Sequence, residues 1–189
     1  MTDKFASDSM TNQSAGLVAG AAAEHGARIN HRYHVECWRS GVLVWEDTFD
    51  NLVTTVGKNK YVDSTLKTGS GGTPAWYVGL VTGPGASNTY AAADTMSSHA
   101  GWSESTAYSE GTRQAFTAGT VASGSVDNTA SKAVFSINGT ATIGGCFLVD
   151  NSAKGGTTGT LLGVGNFAAG DRSVLNGDSL NVSCTLTIS

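Results

Sequence analysis

The chain has 189 residues, enough for one sizeable core, and combines 25 glycines and 2 prolines with a charged fraction of only 14%. That balance suits short strands joined by tight turns better than packed helices, which draw on Ala, Leu, Glu and Lys. Eleven basic residues against fifteen acidic ones give a formal charge of −4, which argues against nucleic acid as a partner, because phosphate neutralisation calls for a basic excess.

Residues 1–30 are rich in Ser, Ala, Gly, Thr and Asn, with few large apolar side chains before Ile29 beyond Phe5, Leu17 and Val18. Such a stretch cannot bury enough surface to fold alone, so an extended N-terminal arm that contacts neighbouring subunits is expected. Within it, GLVAGAAA (16–23) resembles the apolar part of a secretory signal. It follows Asp3 and Asp8 with only Lys4 as a positive charge, and its eight residues are too few for a membrane span. The chain therefore reads as neither exported nor membrane-bound.

A single domain is expected over residues 31–189. In HRYHVECWRSGVLVWEDTF, Tyr33, Val35 and Cys37 share a face, Ser40-Gly41 makes a turn, and Leu43, Trp45 and Phe49 return on alternate positions, the pattern of a β-hairpin. Val62 and Leu66 lie four apart, as do Asp63 and Lys67, which predicts one short helix ending before Gly69. TPAWYVGLVTG reads as a mostly apolar, central strand. Two further strands are expected around GWSESTAY and RQAFTAGTVAS. Asn138-Gly139, between two β-rich runs, predicts a type I′ hairpin. In the final run Leu180, Val182, Cys184, Leu186 and Ile188 alternate with polar residues, the clearest period of two in the chain. Eight or more strands with one helix and no β-helix-β rhythm predict an all-β fold, an antiparallel β-sandwich of jelly-roll-like type.

The stretch DTMSSHAGWSE (94–104) brings Asp94, Ser97, Ser98, His99 and Glu104 together in sequence. Asp94 reads as the cap of one or two helical turns, with Gly101 in the left-handed position past their end. There is no GxSxG elbow for a serine nucleophile. Asp94, Glu104, Glu110 and Asp127 are carboxylates of the kind a glycosidase pairs, but any β protein offers such pairs. His31 and His34, three apart in a strand, point to opposite faces and do not form a metal clamp. GSGG (69–72) and GVGNFAAG (163–170) lack the features of phosphate or dinucleotide loops and read as turns or bulges. Cys37, Cys146 and Cys184 form no CxxC pair and read as buried free thiols, which fits a reducing cytoplasm. Trp38, Trp45, Trp76 and Trp102 could form a sugar-stacking platform; Trp38, on the outward face of the hairpin, reads as exposed or at an interface, whereas Trp45 and Trp76 read as core. No catalytic, cofactor-binding or metal-ligating set is assigned, and an enzyme is not expected.

Several strings taken in order, FDNLVTTVGKNKYVD, AWYVGLVTG, AAADTMSSHAGWSESTAYS, GTRQAF, GTLL and GDSLNVSCTLTIS, resemble a family of small structural proteins encoded by tailed bacteriophages. The similarity runs from about Asp50 to the C-terminus. It implies a virion structural protein without catalytic residues. Taken with the arm, the expected role is capsid decoration or cement: a homo-oligomer, trimer favoured and dimer possible, that binds the major capsid protein on the capsid exterior after assembly in the host bacterial cytoplasm. The alternative, carried by the tryptophans, is a tail-associated or fibre-like host-recognition protein that binds glycan.

Overall fold

The computed structural model describes residues 27–69 and 74–189; the expected arm lies outside the described residues as far as residue 26. In chain order the elements are β1 (Ile29–Arg39), β2 (Val42–Asp50), β3 (Leu52–Val53), α1 (Thr55–Leu66), β4 (Tyr77–Thr82), β5 (Glu104–Ser105), β6 (Gln114–Ala115), β7 (Ser125–Asp127), β8 (Ala133–Ser136), β9 (Ala141–Val149), β10 (Leu161–Asn166), β11 (Arg172–Val174) and β12 (Ser179–Ile188). They form two antiparallel sheets. A five-stranded sheet has the order β2-β1-β12-β7, with β8 also on β12; a seven-stranded sheet has the order β3-β10-β9-β4-β5, with β11 on β9 and β6 on β4.

The expected hairpin of β1 and β2 is present, and its turn places Ser40 and Gly41 at φ 50° and 78°, as a type I′ turn requires. β12 pairs with β1 over ten residues, from Ile29 opposite Ile188 to Trp38 opposite Ser179. Its alternation is real: Leu180, Val182, Cys184 and Leu186 are buried, while Ile188, at the strand end, is half exposed. These side chains, with Tyr33, Val35, Cys37 and Phe135, meet Val78, Leu80, Ile143, Cys146, Leu148 and Leu162 of the other sheet in the inter-sheet core. Each fully buried side chain of this kind contributes about 1.5–3 kcal/mol. The three cysteines are buried and free. The chain is thus an all-β, antiparallel, sandwich-like domain with one short helix. A jelly-roll connectivity is not confirmed by this strand order, in which β1 and β2, and again β9 and β10, are sequential neighbours within one sheet.

Helix α1 begins where the Thr54 hydroxyl accepts the Gly57 N–H at 3.0 Å. It lies close to β10 because residue 57 has no side chain: a Cβ there would collide with the Leu162 backbone. The Asp63–Lys67 pair closes to 4.0 Å, but Val62 and Leu66 face outward. Two other expectations are corrected, and a third, turns or bulges over 163–170, holds in part. Asn138-Gly139 does not make a hairpin: β8 before it belongs to the five-stranded sheet and β9 after it to the seven-stranded sheet, so the dipeptide carries the chain between layers. The strands expected near GWSESTAY and RQAFTAGTVAS shrink to the two-residue β5 and β6. Gly163 and Gly165 lie inside β10, next to a register shift, where they admit Asn51 against the strand; Gly170, at φ 84°, does sit in a turn.

Candidate functional site

The polar stretch at 94–104 is a cover. Between β4 and β5 the chain crosses the outer face of the seven-stranded sheet, where Met96 and Trp102 meet Val81, Phe147, Val149, Leu161 and Val164 in a second apolar cluster. Residue 79 is glycine because the Phe147 ring occupies the place of its side chain. Asp94 opens no helix: one of its carboxylate oxygens accepts the Ala91 N–H and the Trp102 indole N–H, each at 3.1 Å. The His99 ring stacks on Trp102 at 4.0 Å between centroids, and its Nδ1 lies 3.1 Å from the Trp102 carbonyl. Ser97 and Ser98 stay exposed, and their hydrogen bonds are made with Thr95. Gly101 is needed for close approach, since a Cβ would strike the Thr89 backbone, and not for a left-handed cap. The hydrolase-like set is therefore two clamps on one tryptophan.

Glu104, the remaining member, is bound elsewhere. Arg113, wholly buried, donates to both Glu104 oxygens at 3.0 and 2.7 Å and to the carbonyls of Asn151 and Gly156. Its guanidinium also lies 5.2 Å from the Phe147 ring centre. Two more carboxylates hold loops in the same manner. Asp47 accepts the N–H groups of Ala168 and Ala169 and faces Arg172. Asp178 accepts two bonds from Arg39, at 2.7 and 2.9 Å, and the Leu175 N–H. Arg39 first, then the Leu175 N–H, keep the Asp178 carboxyl below its ordinary range, while burial and then Asp178 push the Cys37 thiol up to about 11. Sequence reading missed these clamps because their partners lie up to 139 residues apart.

The outer face of the five-stranded sheet carries a polar network around Glu36. Lys132 donates to it at 2.7 Å and the Trp38 indole at 3.0 Å; His34 lies 3.3 Å away and within 3.8 Å of Glu46. The Lys132 bond chiefly holds the Glu36 carboxyl below its usual range. Trp38 is half-buried here, on the outward face as expected. Trp45 and Trp76 are also half-buried but lean on the core. The other nominated carboxylates serve backbone groups: Glu110 accepts the Ser136 N–H and Asp127 the Thr129 N–H. His31 is buried between Tyr61 Oη, 3.0 Å from its Nε2, and Asn51; His34, on the opposite face, belongs to the Glu36 network.

One concavity among the described residues is mostly apolar. A groove of about 640 Å³ runs between α1 and the paired ends of β1 and β12, lined by Ala27 to Ile29, by Tyr61, Val62 and Leu66 of the helix, and by Ile188. A second hollow of about 250 Å³ shares Tyr61 and Ile188 and adds Val121, Val126 and Leu186. Leu66 is 79% exposed, Val121 70% and Val62 56%. The four-residue spacing of Val62 and Leu66 was the available signal for this surface, although it reads equally as a core-facing stripe. Among the described residues, no group of three or more His, Cys, Asp or Glu side chains is arranged to hold a metal ion, and no helix is long and apolar enough to cross a membrane. The chain matches no family model, no curated protein and no solved structure.

Proposed function

We propose that this protein is a bacteriophage virion structural protein that acts as a capsid decoration or cement protein, binding the assembled head lattice from outside. The observation that carries the reading is the division of labour on its surface. The acidic side chains offered as catalytic candidates are held in loop clamps, while the groove beside α1 is lined mostly by apolar groups suited to adhesive contact. The phage-like strings include the cover, with the clamps that hold Trp102, and the paired strand β12. In this reading the major capsid protein is the partner, the protein acts as a homo-oligomer, trimer favoured over dimer, and the N-terminal arm reaches neighbouring subunits. A ligand that binds only the assembled shell stabilises it by RT ln(1 + [L]/Kd) at every site, so no bond-making chemistry is required.

Deleting residues 2–26 spares the backbone pairing of Arg28 with Ser189 and is expected to weaken binding to purified capsids. A truncated protein that saturates capsids with the parent's affinity removes the arm from the mechanism. Heads lacking the protein altogether should lose heat endurance; unchanged endurance overturns the cement role.

A second reading, a tail-associated glycan-binding protein, is favoured by one observation: Trp38 presents an aromatic ring beside Glu36, His34 and Lys132 on an open sheet face. Antibody label confined to the tail, with none over the head, selects it.

A further inference from the structure

The groove beside α1 is larger than the side chains around it fill, and its walls are apolar at three independent places: the start of β1, the outward stripe of α1 and the end of β12. Val62, Leu66 and Ile188 are each at least half exposed along it. The groove also has a direction. One wall is made by Ala27, Arg28 and Ile29, so the preceding part of the chain departs from the groove itself and not from a distant corner of the fold. Arg28 and Ser189 exchange backbone hydrogen bonds, which fixes that point of departure against the end of β12.

What precedes Ala27 matches what the groove lacks. Residues 16–23, GLVAGAAA, lie in the longest apolar run of the first 26 residues, which begins at Ala15. Leu17 and Val18 supply branched side chains for the hollow, and the alanines and glycines allow the backbone to come close to the helix. The tether is short: Ala23 and Ala27 are separated by roughly 13 Å of extended chain at most, and Gly26 can take the backbone conformations that a reversal needs. A short tether holds a segment at an effective concentration in the millimolar range, far above that of a free partner.

We propose that the groove between α1 and the β1/β12 end is the seat of the chain's own segment 16–23, which folds back across Val62, Leu66 and Ile188. This concerns the free protein and does not depend on the virion reading, in which the shell would take the segment's place in the groove; it completes the apolar surface that the sandwich leaves open at this end. The expected consequence is protection of α1, whose outward stripe the segment covers.

The test compares the parent chain with a Leu17→Asp/Val18→Asp variant and with Val62→Ser, in each case as the full chain. Hydrogen exchange is followed over α1, and limited proteolysis over residues 10–25. Either variant is expected to speed exchange in the C-terminal half of α1 by roughly tenfold or more and to speed cleavage near residues 16–23. The inter-sheet core should keep its parental protection, which shows that the variants fold. A Leu17→Cys/Leu66→Cys chain should cross-link within one molecule, independently of protein concentration. Unchanged exchange in both variants overturns the proposal. Cross-links that form only between molecules, or α1 protection that rises with protein concentration, also overturn it and transfer the segment to a neighbouring copy. Capsid binding by any of these variants bears on the virion reading alone, so the two can fail separately.

Discussion

The outer face of the seven-stranded sheet and the groove beside α1 are both apolar surfaces beyond the inter-sheet core, and the described chain treats them differently. Over the sheet, residues 83–103 make a cover whose Trp102 is gripped by Asp94 and His99 from its own loop, and the buried Arg113–Glu104 pair ties the end of that cover to the loop at 151–156. Beside the helix, Val62 and Leu66 are exposed among the described residues. On the sheet face, polar anchors hold a described segment across the apolar cluster; beside the helix, no described segment crosses Val62 and Leu66.

The strongest way to break this comparison is to cut the buried anchor. Glu104→Ala leaves the Arg113 guanidinium buried without its carboxylate, and breaking such a pair costs about 3–5 kcal/mol. Urea denaturation should show this loss, with exchange rising first over residues 94–103. Arg113→Met with Glu104→Leu removes both charges and also the bonds to the Asn151 and Gly156 carbonyls. If the pair anchors the cover, this double variant recovers part of the stability while the 151–156 loop stays loosened. A double variant indistinguishable from the parent in both respects would mean that apolar contact alone closes this face.

The groove side is probed by acid. His31 sits beneath Tyr61, the residue shared by both hollows, and burial lowers its pKa from 6.5 to about 4. Between those values the unfolded chain binds a proton that the folded one refuses, so stability is full above pH 6.5 and falls as the pH drops towards 4. The full shift corresponds to roughly 3 kcal/mol. Denaturant midpoints measured from pH 7 to 4 should decline in the parent and stay flatter in His31→Gln. The Asp178 and Glu36 carboxyls, held low by Arg39 and Lys132, add their own losses mainly below this window. Equal slopes in parent and variant would place the acid sensitivity elsewhere.

What was legible in the sequence follows from the range of the interactions involved. β12 showed itself because one face is buried along nearly its whole length, so burial follows the spacing except at the buried Ser183 and the exposed Ile188. The β1–β2 hairpin was legible because its turn is local. Asn138-Gly139 misled because the dipeptide reports only that the chain can turn there, whereas the sheet that receives the next strand is decided by pairing of β8 with β12 and of β9 with β4 and β10. Asp94 misled for a related reason: an acceptor ahead of a small-residue stretch suits a helix cap, but the donor that claimed it is an indole eight residues on. The groove was the least legible feature, since a stripe of Val62 and Leu66 looks the same whether it faces a core or an opening.

The smallest expected effects separate the cover's clamp from the active site its composition suggests. Asp94→Ala strips an acceptor from the Trp102 indole and from the Ala91 N–H, a partly exposed site, and should cost about 1–2 kcal/mol. His99→Ala removes a ring stacked on Trp102 and should cost about 1 kcal/mol. Ser97→Ala and Ser98→Ala touch exposed hydroxyls and should fall within about 0.5 kcal/mol of the parent. Thermal melts rank the four variants directly. A clamp predicts that the losses follow contact with Trp102, and that Asp94→Ala in a Trp102→Phe background costs less than it does alone, because the indole N–H it served is gone. A catalytic set predicts no such coupling: the serines would count as much as the histidine in turnover, with stability untouched.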